Sequence, residues 1–105
     1  MRIKSLAIIL GLACAGAAAS AEFEVGQLNK AFAVTELKVK AGDTVSFKNN
    51  DPFAHNIFSL SDTKSFDLGS YQQGQTRKVV FDKPGTVEVE CALHPGMTMT
   101  ILVQK

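Results

Sequence analysis

Lys83-Pro84-Gly85-Thr86-Val87-Glu88-Val89-Glu90-Cys91 is the stretch that decides the fold. Pro84-Gly85 is a turn pair. After it, Val87, Val89 and Cys91 alternate with Thr86, Glu88 and Glu90, which is the period of a strand with one face buried and one face wet. The same alternation recurs on both sides. Downstream, Met99, Ile101 and Val103 share one face. Upstream lie Val79 and Phe81, the apolar-rich run Asn56-Ile57-Phe58-Ser59-Leu60, then Val45 and Phe47, Leu37 and Val39, and Phe23 and Val25. Turn-forming stretches separate them at Ala41-Gly42-Asp43, Asn49-Asn50-Asp51-Pro52, Gln73-Gly74-Gln75 and Lys83-Pro84-Gly85. Short strands at this spacing predict an all-β sandwich or barrel. Residues 61–75 show no clear period and read as irregular structure with at most one helical turn.

The N-terminus reads differently. Arg2 and Lys4 precede an apolar run from Leu6 to Leu12, and the small residues Ala17-Ala18-Ala19-Ser20-Ala21 follow. This is the layout of a secretory signal peptide, so the expected organisation is a leader over 1–21 and one domain over 22–105, with cleavage after Ala19 as the alternative. The apolar run is too short for a spanning helix, which needs about 20 residues. Gly11 stands where acylation of Cys14 would require an aliphatic residue. The expected mature chain therefore has no membrane anchor and lies in the periplasm. Losing the leader removes Arg2, Lys4 and Cys14 and turns a formal net charge of +1 into −1. Such a chain has no basic excess for a phosphate backbone, and nucleic acid is not an expected partner. With 105 residues in all, there is room for one core and no separate cofactor domain. One cysteine is left after cleavage, so no disulfide within the domain is available.

That cysteine begins the chemically dense stretch Cys91-Ala92-Leu93-His94-Pro95-Gly96-Met97-Thr98-Met99. Pro95-Gly96 makes a tight turn, and a turn of this size can aim a thiolate, an imidazole and a thioether at one point. The other histidine, His55, also lies where a turn enters a strand. Taken singly, His55 is an ordinary loop residue and Cys91 an inert buried thiol. Together they form a ligand set. Two imidazoles and a thiolate would also suit zinc, but a thioether is a poor zinc ligand, and His₂Cys with a weak axial methionine is the blue-copper set. A lone thiol in an oxidising compartment is also protected by ligation.

Gly42-Asp43-Thr44-Val45, Phe47-Lys48-Asn49 and His55-Asn56, followed by Lys83-Pro84-Gly85-Thr86 and Cys91-x-x-His94-Pro95-x-Met97, resemble the cupredoxins, the small blue copper proteins such as plastocyanin, pseudoazurin and amicyanin. The resemblance runs from about Glu36 to Val103, and the ligand loop is similar to the short amicyanin type. It implies a Greek-key β-sandwich of about seven to eight strands holding one copper ion. It implies His55, Cys91 and His94 as ligands, with Met97 as axial ligand and Met99 as the alternative. Met99 shares its parity with Ile101 and Val103 and reads equally as a core residue. Asn56 is expected to bridge the two ligand segments by hydrogen bonds. Phe53 and Pro95 are candidates for an apolar collar around His94. In these relatives a proline precedes the second histidine; here Leu93 keeps its N–H, which is expected to donate to the Cys91 sulfur.

The function implied is single-electron transfer by a monomeric carrier, not an enzyme, between redox proteins such as a c-type cytochrome or a periplasmic dehydrogenase. Glu88 and Glu90 are a solvated strand face or a means of choosing a basic partner. Two rivals are copper binding for tolerance or delivery, against which the lack of Met-rich or His-rich tracts weighs, and a metal-free interaction module.

Overall fold

The computed structural model describes residues 19–105; positions 1–18 of the expected leader, Cys14 included, lie outside the described residues. Nine strands follow one another: β1 Glu22–Leu28, β2 Ala31–Phe32, β3 Glu36–Lys40, β4 Asp43–Asn49, β5 His55–Ser61, β6 Lys64–Tyr71, β7 Thr76–Phe81, β8 Gly85–Cys91 and β9 Thr98–Gln104. They form two sheets, of order β3-β9-β8-β5-β6 and β2-β1-β4-β7. The all-β sandwich read from the alternation is therefore the fold. On every strand but β6, the apolar residues of one parity meet in one core: Val25, Val45, Phe47, Ile57, Phe81, Val87, Val89 and Ile101 are at most 2% exposed. The hydrophobic effect acts on these faces, at roughly 25 cal/mol per Å² buried.

The strand count exceeds the expectation because of β2, which is two residues long, and β6. The irregular structure expected over 61–75 is instead mostly strand. β6 pairs antiparallel with β5 along its length, but the register slips between Asn56 and Phe58. Asn56 faces Ser70 while Phe58 faces Asp67, so β6 carries one extra residue there, a bulge at Leu68-Gly69. Gly69 sits at φ 71°, where a side chain would be strained. Phe66 and Leu68 pack on the core, and after the bulge Tyr71 does so on the opposite parity. That switch hides the period of two.

Tyr71 carries a buried hydroxyl, to which Gln27 Nε2 donates at 2.6 Å. Burial pushes the Tyr71 pKa up to about 12, with the Gln27 hydrogen bond opposing it. A tyrosine whose folded pKa is raised stabilises the fold fully below the unfolded value near 10. That contribution is lost as pH rises from there towards about 12. Tyr71→Phe is expected to be less stable than the parent at neutral pH, with the difference shrinking between pH 10 and 12. Urea melts across that range check it; parallel curves for the two proteins would contradict it.

Candidate metal centre

At one end of the sandwich Asn49, Asp51 and His55 are buried polar side chains. Asn49 ends β4 with its side chain fully buried. Its Nδ2 donates to the carbonyls of Phe53 (2.8 Å) and Tyr71 (3.1 Å), and its Oδ1 accepts the Asp51 N–H at 2.8 Å. This pins the loop that delivers His55 to the first position of β5. Ile57 pairs with Cys91 across β5 and β8, so His55, two residues along the same face, lies diagonal to Cys91.

The second segment turns at once. Ala92 N–H donates to the Asn56 carbonyl at 2.9 Å, Met97 N–H to the His94 carbonyl at 3.1 Å, and Cys91 N–H to the Met97 carbonyl at 3.1 Å. With Pro95 second and Gly96 third at φ 90°, residues 94–97 form a type II turn, a conformation that requires a positive φ at Gly96. This turn swings His94 back over the strand end.

Three donor atoms consequently converge. Cys91 Sγ lies 3.5 Å from His55 Nδ1 and 3.5 Å from His94 Nδ1, and the two ring nitrogens are 3.2 Å apart. These three side chains form a group that can hold a metal ion. Edges of this length are close to those subtended by an ion with nitrogen ligands at about 2.0–2.1 Å and a thiolate at about 2.3 Å. His55 is fully buried, Cys91 is 5% exposed, and His94 is half-buried. Burial first, then the nearby His55 and Lys30, holds the His94 pKa below the usual imidazole range, which keeps its nitrogen available to a metal.

Met97 and Met99 are both buried, at 3% and 2%. The ladder separates them. Met97 is opposite Cys91 through the Cys91 N–H bond, at the site. Met99 pairs with Val89, two residues further into the core. Phe53 covers the histidines, its ring centroid 5.6 Å from that of His55 and 5.2 Å from that of His94. Ala92, Leu93 and Pro95 are exposed around them.

Asn56 bridges the two ligand segments, though not by its side chain, and Leu93 differs from expectation. The side chain of Asn56 donates to Asp67 Oδ1 on β6 at 2.7 Å, and the link between the two ligand segments runs through its main-chain carbonyl. Among the described residues, Leu93 N–H makes no hydrogen bond to Cys91 Sγ, whose polar neighbours are the two imidazoles. Leu93 stands 51% exposed just before the turn. The sequence marks Asp51 only as a turn residue, yet it is 1% exposed and lies 2.8 Å from His55 Nε2. Burial alone would raise its pKa; hydrogen bonds from His55, Lys30 and Asn29 outweigh this and hold the carboxyl below its usual range. An acid four residues before a histidine was the available signal.

Comparison with known proteins points the same way. Residues 19–104 match the family described as copper binding proteins, plastocyanin/azurin family. Plastocyanin from Ginkgo biloba is 36% identical over 84 residues, covering 70% of this chain and 85% of the relative. Amicyanin-alpha from Methylorubrum extorquens is 29% identical over 90 residues, covering 83% and 74%. A solved structure of an oxidised amicyanin mutant superposes with a TM-score of 0.73 at 24% identity, covering 78% of this chain and 81% of that one, a likeness of fold.

Proposed function

The chain belongs to the plastocyanin/azurin family of copper-binding proteins, and from that premise we propose that it carries single electrons between periplasmic redox proteins. The observation that carries the reading is the triangle of Cys91 Sγ, His55 Nδ1 and His94 Nδ1 with Met97 beside it. The donors fit copper: a soft thiolate, two imidazoles and a weak thioether. Bound there, copper supplies a one-electron couple between Cu(I) and Cu(II). The protein's part is to hold Cys91, His55 and His94 in one arrangement for both states. The hydrogen-bonded type II turn and the Asn49-braced loop do this, so little reorganises when charge changes. Phe53 and buried Met97 keep water out. The half-buried His94, ringed by exposed Ala92, Leu93 and Pro95, is the exit for the electron and the face that docks a partner such as a c-type cytochrome or a periplasmic dehydrogenase. The four donors close the site, which favours a carrier over an enzyme. The leader over 1–21 accounts for export, and the carrier acts as a monomer.

The first test is the visible spectrum of Glu22–Lys105 loaded with Cu(II). An intense thiolate-to-copper band, bleached by ascorbate and restored by oxidant, with rapid exchange with a c-type cytochrome, is expected. A colourless zinc protein, or one that releases copper readily and exchanges no electrons, would overturn electron transfer.

Met97 is the proposed axial ligand. Met97→Leu should raise the reduction potential, because a weak donor that favours Cu(II) is lost. Met99→Leu conserves volume and should leave the potential unchanged while costing less than about 1.5 kcal/mol of stability. Voltammetry of the two variants decides; the reverse pattern would assign the role to Met99.

A further inference from the structure

Asp51 is a buried carboxylate with three hydrogen-bond partners. Its Oδ1 accepts the Asn29 N–H at 2.7 Å, and its Oδ2 accepts the Lys30 N–H at 3.1 Å and lies 2.8 Å from His55 Nε2. Asn29 and Lys30 are the two residues of the turn that joins β1 to β2, at φ 57° and 59°. Both conformations are left-handed, as a two-residue hairpin of this kind demands. The strands it joins pair at Gln27 with Phe32 and Leu28 with Ala31, with one further main-chain bond from the Ala33 N–H to the Gly26 carbonyl at 2.9 Å. So short a hairpin has little pairing of its own to hold it. The turn also sets Lys30, whose Nζ lies 5.8 Å from the centroid of the Phe53 ring that covers both histidines.

We propose that Asp51 is the positioning residue of this centre, acting on copper through His55 while clamping the β1–β2 turn over the site. The inference rests on the copper reading above. A carboxylate that only accepts requires the proton of His55 on Nε2, which leaves the lone pair on Nδ1, the nitrogen that faces Cys91. A full negative charge hydrogen-bonded to the far side of the ring raises the donor strength of Nδ1. The more highly charged Cu(II) gains more from this than Cu(I), so Asp51 holds the reduction potential down. The burial cost of the anion is offset by its three donors and is spent in one place on both the turn and the ligand.

The test uses the wild-type chain and Asp51→Asn, which keeps an oxygen acceptor and removes the charge. In the metal-free wild type, ¹⁵N NMR of the imidazole should show His55 with its proton on Nε2; a proton on Nδ1 overturns the proposal without any variant. In Asp51→Asn the potential should rise. Cu(II) affinity should fall about 10- to 100-fold, as when a ligand's hydrogen-bond partner is removed, and Cu(I) affinity should fall less. Competition with a chromophoric Cu(I) chelator, combined with the potential, gives both affinities. A lower melting temperature with an unchanged potential would reduce Asp51 to an anchor for the turn and overturn its effect on copper. Should the wild type bind no copper, the proposed function fails, whereas the tautomer measurement still reads the positioning.

Discussion

Cys91→Ser is expected to give a folded protein with no intense visible band and a much weakened hold on Cu(II). The band depends on charge transfer from a thiolate, and within Glu22–Lys105 Cys91 is the only residue that has one. Serine keeps the shape of the side chain but offers a hard, neutral hydroxyl, which suits copper poorly. The fold should survive, because Cys91 sits at the end of β8, and its N–H bond to the Met97 carbonyl is made by main chain alone. A buried serine hydroxyl, with one proton to donate, also has a ring nitrogen beside it as acceptor. Far-ultraviolet circular dichroism establishes the fold, and a Cu(II) titration followed by visible absorption reads the site. An intense band surviving in the serine variant would remove the thiolate from the ligand set and with it the proposed electron carrier.

What the sequence disclosed followed from local rules. The parity of Val87, Val89 and Cys91 and of Met99, Ile101 and Val103 survives intact because β8 and β9 pair without a slip from Gly85 to Glu90. The turn at Pro95-Gly96 is legible for the same reason: its conformation is set by the two residues themselves. β6 was illegible because the bulge at Leu68-Gly69 changes which parity faces the core, and nothing within the strand announces a register that its neighbour imposes. Asn49 and Asp51 were illegible as parts of the site because their roles are long-range. Asn49 reaches Tyr71, 22 residues away, and Asp51 reaches Asn29 at the same separation. Turn composition gave their location, while only the packing of two sheets gave their partners. Asn56 shows the complementary case: the residue does connect the ligand segments, but through a carbonyl that any amino acid would supply.

Phe47→Ala is expected to cost about 3–5 kcal/mol, the range for removing a buried aromatic and leaving part of its volume empty. Phe47 is fully buried on β4, which is flanked by β1 and β7, so the sheet has few ways to close over the gap. Its ring packs at 6.4 Å from that of Phe32 and 6.2 Å from that of Phe66, which in turn lies 6.1 Å from Phe81. Removing it therefore loosens a row of aromatics that joins both sheets. Small domains have about 5–15 kcal/mol to lose, and a short chain sits towards the low end. The metal-free variant should unfold at much lower urea than the metal-free parent. Copper binds the folded state alone in the proposed site, so it should recover stability by mass action, about 4 kcal/mol at a free concentration a thousandfold above the dissociation constant. Urea melts of the metal-free and copper-loaded forms measure both quantities. A metal-free loss below about 1 kcal/mol would mean the sheets collapse onto the gap. A loss that copper fails to offset would mean that Asn49, two residues further along β4, no longer holds the His55 loop, and the core and the centre would then be one cooperative structure.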